Sequence, residues 1–147
     1  MAERKVLFVC VENAARSLMA ESLFNQHPPT GWTATSAGTR PAPTPHGRTE
    51  PMLREIGVPL PAHPPQLLTE ALMDEASTVI TMGCLDDASC PARLKTMEIR
   101  DWALADPASL DDAGFRQVRD DIRRRVEGLR RELILNDRRR AQLGPNR

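Results

Sequence analysis

Lys5-Val-Leu-Phe-Val-Cys10-Val-Glu-Asn-Ala-Ala-Arg16-Ser17 is the stretch on which the fold turns. Val6 to Cys10 is an unbroken apolar run of strand length, the pattern of a parallel strand covered on both faces. From Ser17 onward Leu18, Met19, Leu23 and Phe24 recur at helical spacing, until His27-Pro28-Pro29 stops the pattern. The order is strand, loop, helix. In open α/β sheets ligands bind beyond the carboxyl ends of the strands, and Cys10 stands at that end of this strand.

The loop between them has the chemistry of an anion site. Backbone N–H groups that open a helix converge on one concavity, and the helix dipole adds partial positive charge there. Arg16 adds a planar fork for two oxygens of a tetrahedral oxyanion. Val11, Glu12, Asn13, Ala14, Ala15, Arg16 and Ser17 are therefore the candidate oxyanion-binding residues, and Cys10 the candidate nucleophile. The same donors are expected to lower the Cys10 pKa below the free value of roughly 8.5. Ser17 can hydrogen-bond the sulfur. Asn13 tolerates the left-handed backbone that a tight loop requires. Glu12 would repel an anion if it pointed inward, so its side chain is expected to face solvent. The competing reading is a buried structural cysteine with an unrelated arginine six residues on.

Outward from the loop, strands and helices alternate. Trp32 to Ala37 alternates as a strand, and Gly38-Thr-Arg-Pro-Ala-Pro-Thr-Pro45 is a proline-rich connection unable to sit inside a sheet. Thr49 to Ile56 reads as a short helix ended by Gly57. Leu67 to Ala76 reads as another, with Leu68, Leu72 and Met73 inward, followed by a buried strand over Ser77 to Met82 and a weaker strand signal from Lys95 to Trp102. Phe115, Val118, Ile122, Val126, Leu129 and Leu133 place one apolar stripe along a final helix. The pattern predicts a three-layer α/β/α domain with a mostly parallel sheet over residues 1–136, and a polar, basic, solvated C-terminal tail over 137–147.

Composition restricts the function classes. Twenty Lys plus Arg balance 20 Asp plus Glu. No net field favours nucleic acid or an anionic membrane, so an anion site must be local. The N-terminus lacks the apolar length of a signal peptide, and no segment approaches the roughly 18 apolar residues of a membrane helix, so a cytoplasmic location is expected. Three cysteines, an odd number without an export signal, fit reduced thiols used chemically. No cofactor is expected, and three cysteines with three scattered histidines make a poor zinc set.

Val9-Cys-Val-Glu-Asn-Ala-Ala-Arg-Ser17, Met19-Ala-Glu21, Ser36-Ala-Gly-Thr39 and Asp106-Pro107-Ala108 occur in that order, and together they span the chain from about Lys5 to Leu133. In this combination the sequence resembles the low-molecular-weight protein tyrosine phosphatase family, and most closely its thioredoxin-coupled arsenate reductase branch. The resemblance implies a four-stranded parallel sheet, Asp106 as a general acid protonating the departing oxygen, and Ser36 bracing the anion loop together with Asn13 and Ser17.

Phosphatase and reductase share the first step, attack by Cys10, and differ in the second. Reduction of As(V) to As(III) takes two electrons, which thiols supply by ending as a disulfide. Cys84 and Cys90, in Met82-Gly-Cys-Leu-Asp-Asp-Ala-Ser-Cys-Pro91, are the candidates. The resemblance implies that Cys84 attacks Cys10 as arsenite leaves and that Cys90 then attacks Cys84. The resulting disulfide is passed to thioredoxin, or to a low-molecular-weight thiol such as mycothiol in related actinobacterial enzymes. Inert buried thiols are the alternative for this pair. A phosphotyrosine or phosphomonoester phosphatase is the alternative for the whole chain, and a non-enzymatic oxyanion-binding module is a third reading. The absence of tyrosine and an aromatic content of 3% furnish an aryl-phosphate channel poorly, with Trp102 the one aromatic near Asp106. Some thioredoxin-coupled relatives also bind a potassium ion with residues matching Asn13, Glu21 and Ser36. The proline-heavy Gly57-Val-Pro-Leu-Pro-Ala-His-Pro-Pro65 departs from the polar residues they place nearby.

Overall fold

The structure, a computed structural model, describes residues 3–83 and 99–143. Four parallel strands form one sheet in the order β2-β1-β3-β4: β1 is Arg4–Cys10, β2 Trp32–Gly38, β3 Thr78–Thr81 and β4 Ile99–Asp101. The uninterrupted apolar run explains why β1 lies between two neighbours. Val6 and Phe8 pack toward α1 (Arg16–Gln26) and α4 (Asp112–Leu143), whereas Leu7 and Val9 pack with Leu68 and Met73 on the other face. A side chain reversing face at each step requires apolar residues at every position when both faces are covered. The helices α2 (Thr49–Arg54) and α3 (Glu70–Glu75) and a single 3-10 turn at Pro107–Ser109 complete the described elements. The three-layer arrangement is the one expected.

Two boundaries differ from the sequence reading, each for a local reason. The helix expected from Leu67 starts at Glu70, because residues 66–68 are engaged with β2. The Gly38 N–H donates to the Gln66 carbonyl (2.8 Å) and the Leu68 N–H to the Gly38 carbonyl (2.8 Å). Thr69 then caps α3, its hydroxyl accepting from the Leu72 N–H at 3.2 Å. At the other end of the chain, the division after residue 136 has no counterpart in α4, which continues to Leu143. Asp137 lies inside it and accepts from both terminal nitrogens of Arg4 (2.7 Å each) and from Trp32 Nε1 (3.2 Å), while the Arg4 guanidinium stacks 4.5 Å from the Trp32 ring centroid. Residues 138–143 are exposed. Of the Lys95–Trp102 strand signal, Ile99–Asp101 forms β4 and residues 95–98 lie outside the described residues.

The stripe on α4 is buried at all six positions from Phe115 to Leu133, Phe115 and Ile122 completely, and it packs against α1 and Phe24 in the larger core cluster. No helix among the described residues is long and apolar enough to cross a membrane. Ile122→Ala is expected to remove about 2–5 kcal/mol of stability by leaving a cavity under the sheet, whereas Leu135→Ala, at an exposed position of the same helix, is expected to stay within about 0.5 kcal/mol. Urea unfolding of the two variants measures the difference.

Candidate active site

Cys10 ends β1 and is 2% exposed, and α1 begins at Arg16. The intervening loop is held open by four carbonyls that have partners on the far side. The carbonyls of Cys10, Val11 and Glu12 accept from the N–H groups of Thr39 (3.2 Å), Arg40 (2.8 Å) and Ala42 (2.9 Å). That of Ala14 accepts from the His46 N–H (3.0 Å) and the Thr49 hydroxyl (2.8 Å). Once the carbonyls are drawn outward into the proline-rich connection, the opposite edges of the same peptide planes are left to face the concavity. Asn13 sits at φ 51°, the left-handed conformation that lets the loop turn within so few residues. Gly38, next to Cys10 in the sheet, permits the close approach: a Cβ there would stand 2.5 Å from the Val11 carbonyl oxygen and 3.0 Å from the Asn13 nitrogen.

Behind the sulfur lies a directional polar chain. Asn13 Nδ2 donates to Ser17 Oγ (2.6 Å) and to Ser36 Oγ (2.9 Å), and its Oδ1 accepts from the Gln66 N–H (3.0 Å). With an acceptor site used by Asn13, the Ser17 hydroxyl is free to donate to Cys10 Sγ, 2.9 Å away; the Asn13 N–H donates to the same sulfur at 3.2 Å. Ser36 likewise donates to Glu21 Oε1 at 2.6 Å. Asn13 and Ser17 therefore face away from the cleft, and they touch the nucleophile from within the protein.

Burial pushes the Cys10 thiol above its ordinary value, and the Ser17 hydroxyl, the Arg16 charge and the Asn13 N–H oppose that rise without reversing it. This corrects the expectation of a lowered thiol pKa. The loop donors are present, but the sulfur is so completely removed from water that desolvation of the thiolate outweighs them.

Arg16 is 5% exposed and anchored through NH1 to the carbonyls of Met82 (3.2 Å) and Leu104 (3.1 Å). The other edge of its guanidinium, Nε and NH2, remains for an anion, with NH2 3.9 Å from Asp106 Oδ2. Gly83 lets the backbone after Met82 lie directly against that of Ala103 and Leu104. It lies at φ +85°, and a Cβ on it would meet Ala103 Cα at 2.4 Å. Asp106 caps the 3-10 turn through the Ala108 N–H (3.0 Å), and its side chain is more than half exposed.

A cleft of about 230 Å³ is lined by Cys10, Val11, Glu12, Ala14, Ala15 and Arg16 from the loop, and by His46, Asp106 and Ala108 across from it. The Glu12 side chain is exposed at its margin. Trp102 does not reach it: the indole is buried against Phe8, ring centroids 5.6 Å apart. The ring that does line the cleft belongs to His46, which sequence reasoning passed over. Its Nδ1 accepts from the Arg48 N–H (3.2 Å) and its ring packs 5.8 Å from that of Phe115. His63 and Gln66, which complete the buried polar chain, were also missed, since neither belongs to a motif. Cys84 and Cys90 lie outside the described residues.

Comparison with known proteins agrees with this geometry. Residues 5–139 match the model for low molecular weight phosphotyrosine protein phosphatases. Among curated relatives, arsenate reductase 1 of Staphylococcus epidermidis is 29% identical over 128 residues, covering 86% of this chain and 96% of the relative. A putative arsenate reductase of Halobacterium salinarum is 32% identical over 127 residues, covering 83% and 87%. Among solved structures, an arsenate reductase in the phosphate-binding state superposes with a TM-score of 0.77 at 29% identity, over 88% of this chain and 98% of that one. A thioredoxin-dependent arsenate reductase of Corynebacterium glutamicum gives 0.76 at 30%, over 92% and 64%.

Two outcomes test the site. Gly38→Ala is expected to cost about 1–3 kcal/mol in urea unfolding, because backbone rather than a flexible side chain must move. It is also expected to weaken the protection that a bound oxyanion gives Cys10 against alkylation. Ser17→Ala removes a donor that favours the thiolate, so the pH at which Cys10 becomes reactive to iodoacetamide should move further upward, starting from a parent value already above the ordinary thiol range of about 8.5. The rate of alkylation against pH, in a Cys84→Ser/Cys90→Ser background, reads both.

Proposed function

Because the chain belongs to the low molecular weight phosphotyrosine protein phosphatase family, we propose that it uses this site to reduce arsenate to arsenite, with a phosphotyrosine or phosphomonoester phosphatase as the alternative. The observation that carries the proposal is the joint placement of Cys10, the inward edge of the 11–16 loop, Arg16 and Asp106 around one small cleft without a tyrosine or tryptophan lining, in a chain whose relatives include named arsenate reductases.

Arsenate binds with its oxygens on the loop amides and on the free edge of Arg16. Since burial keeps Cys10 as the thiol, the arriving dianion is the natural base. The thiol proton passes to an arsenate oxygen, and the thiolate that remains is held by Ser17 and the Asn13 N–H. Sγ attacks arsenic, and an oxygen departs as water after taking a proton from Asp106. The Cys84 thiolate then attacks Cys10 Sγ. A Cys10–Cys84 disulfide forms, the As–S bonding pair stays on arsenic, and arsenite leaves as As(III). Cys90 attacks Cys84 next, releasing the Cys10 thiolate and leaving a Cys84–Cys90 disulfide for an external dithiol such as thioredoxin, or for a low-molecular-weight thiol. Support for the reach of Cys84 comes from the described residues before it: Met82, two positions earlier, is bonded through its carbonyl to Arg16 and through its N–H to the Val9 carbonyl at 3.0 Å. The chain enters the 84–98 segment beside the anion loop. A reducing cytoplasm is the compartment in which such a relay would be reset.

Arsenate turnover with thioredoxin as reductant is expected to vanish in Cys10→Ser, and to fall by at least about 100-fold in Cys84→Ser and in Cys90→Ser, each of which removes an obligatory sulfur. Full turnover in both relay variants, or brisk aryl-phosphate hydrolysis by a wild-type protein that leaves arsenate unreduced, would move the chain to the phosphatase reading.

A further inference from the structure

Cys10 and the proposed acid, Asp106, stand on opposite walls of the cleft, and residues 46–49 touch both walls. Toward the anion loop, the His46 N–H and the Thr49 hydroxyl donate to the Ala14 carbonyl at 3.0 and 2.8 Å. Between them, the Arg48 side chain reaches the other way. Its Nη2 donates to the carbonyls of Pro107 (3.2 Å) and Ala108 (3.4 Å) and its Nη1 to Asp112 Oδ1 (3.1 Å), while its Cζ stands 4.9 Å from the centroid of the fully buried Phe115 ring. The Arg48 backbone is fixed independently. Its N–H donates to His46 Nδ1 at 3.2 Å, and its carbonyl accepts from the Met52 N–H at 3.0 Å as α2 begins.

The turn that Arg48 grips is a single one, Pro107–Ser109, with little rigidity of its own. Its other bonds are internal: Asp106 Oδ1 accepts from the Ala108 N–H, the Asp106 carbonyl from the Ser109 hydroxyl (3.0 Å), and the Pro107 carbonyl from the Leu110 N–H (3.0 Å). Among the described residues, the hydrogen bonds that join this turn to the opposite wall come from Arg48. The Asp106–Arg16 pair, at 3.9 Å with Asp106 more than half exposed, restrains it weakly, and the exposed Arg48–Asp112 pair adds little. What holds the guanidinium is its planar set of donors, shared over two successive carbonyls, and its seat on Phe115. Arg48 is not among the residues lining the cleft, so its route to the chemistry runs through Asp106.

We infer that Arg48 is a positioning residue that ties the Asp106 turn to the wall of the anion loop and so sets the distance at which the acid meets the departing oxygen. Proton transfer needs heavy atoms within about 2.6–3.2 Å, so a turn displaced by about an ångström loses the acid while the loop keeps its anion. The loop does not need this side chain, because its own bonds to residues 46–49 run through the His46 N–H and the Thr49 hydroxyl. The inference rests on Asp106 being the acid, and it holds for arsenate and for a phosphomonoester alike.

Two anions tell the walls apart. Inorganic phosphate reports the loop, whereas orthovanadate takes a fifth ligand, places an apical oxygen where the departing oxygen stands, and reports the acid as well. The affinity of each is read as protection of Cys10 from iodoacetamide in a Cys84→Ser/Cys90→Ser background. Arg48→Met, which keeps an aliphatic stem over Phe115 and removes the donors, is expected to bind phosphate as the parent does and vanadate roughly tenfold more weakly. Asp106→Ala should lose vanadate affinity selectively, and the double variant should match Asp106→Ala to within about twofold, since both changes remove one contact. Vanadate affinity retained in Arg48→Met, equal losses for the two anions, or losses that add in the double variant would each overturn the inference. Should Arg48→Met fail to fold, Arg48→Lys decides. Its single point donor cannot hold both carbonyls, so a selective vanadate loss of about threefold supports the inference, and equal behaviour toward the two anions overturns it. Vanadate affinity untouched by Asp106→Ala would remove Asp106 as the acid and the inference with it. Arsenate turnover by the wild-type protein, measured separately, bears on the proposed reaction alone.

Discussion

The amides of a loop can face a ligand together only if their carbonyls are satisfied elsewhere, and in this protein that requirement organises everything around Cys10. The carbonyls of residues 10, 11, 12 and 14 are taken up by donors between Thr39 and Thr49, so the connection after β2 serves as the outer wall of the anion loop. Its prolines suit this role. They stiffen a segment whose N–H groups are needed only at particular positions, and they keep it out of the sheet. Gly38 is the joint at which wall and loop meet, and the parallel pairing of β1 with β2 delivers it beside Cys10. A binding concavity of this kind needs little net charge, in keeping with a chain whose formal charge is zero.

The same compactness sets the chemical character of the nucleophile. A sulfur with donors on one side and bulk water on the other would ionise readily, whereas Cys10 has donors and almost no water, and the desolvation cost prevails. Such a thiol ionises less readily than an exposed one, and an anion able to take its proton meets it at the loop. Protection of the nucleophile and selection for an oxyanion then arise from one arrangement. The same burial gives stability a dependence on pH. Because the folded thiol ionises at higher pH than the unfolded one, its contribution is complete below the unfolded pKa and is lost as pH rises through the folded value.

What the sequence disclosed and what it concealed divide along physical lines. β1 and α4 were legible because covered strands and amphipathic helices print their burial pattern directly into residue order, as in Val6 to Cys10 and in the spacing from Phe115 to Leu133. Cys10, Arg16 and Ser17 were legible because loop chemistry demands particular residue types at fixed offsets, whereas Asp106 was reached only through the family resemblance. The sign of the Cys10 pKa shift was not, since it depends on how closely the surrounding layers exclude water, which no local pattern records. His63 was hidden for a similar reason. It sits in a proline-rich stretch that reads as a bare connector, and only the path of the backbone past α1 brings its ring to Glu21. His46 was hidden by the same rule, a lone histidine between a proline and a glycine carrying no periodic signal. The start of α3 was misplaced because an isolated bridge to Gly38 claimed the residues before it, a tertiary demand overriding local propensity.

The link between Arg4 and Asp137 gives the molecule a temporal order. The strand that bears Cys10 is made before the helix that covers Phe8 and Phe24 and holds Asp137. On the ribosome, the first strand, its loop and α1 emerge long before the residues that shield them, so for most of synthesis the sulfur lacks the enclosure that later keeps it protonated. A nascent chain of this design exposes Cys10 to oxidants and thiophilic metals until the later elements that pack around β1 have emerged.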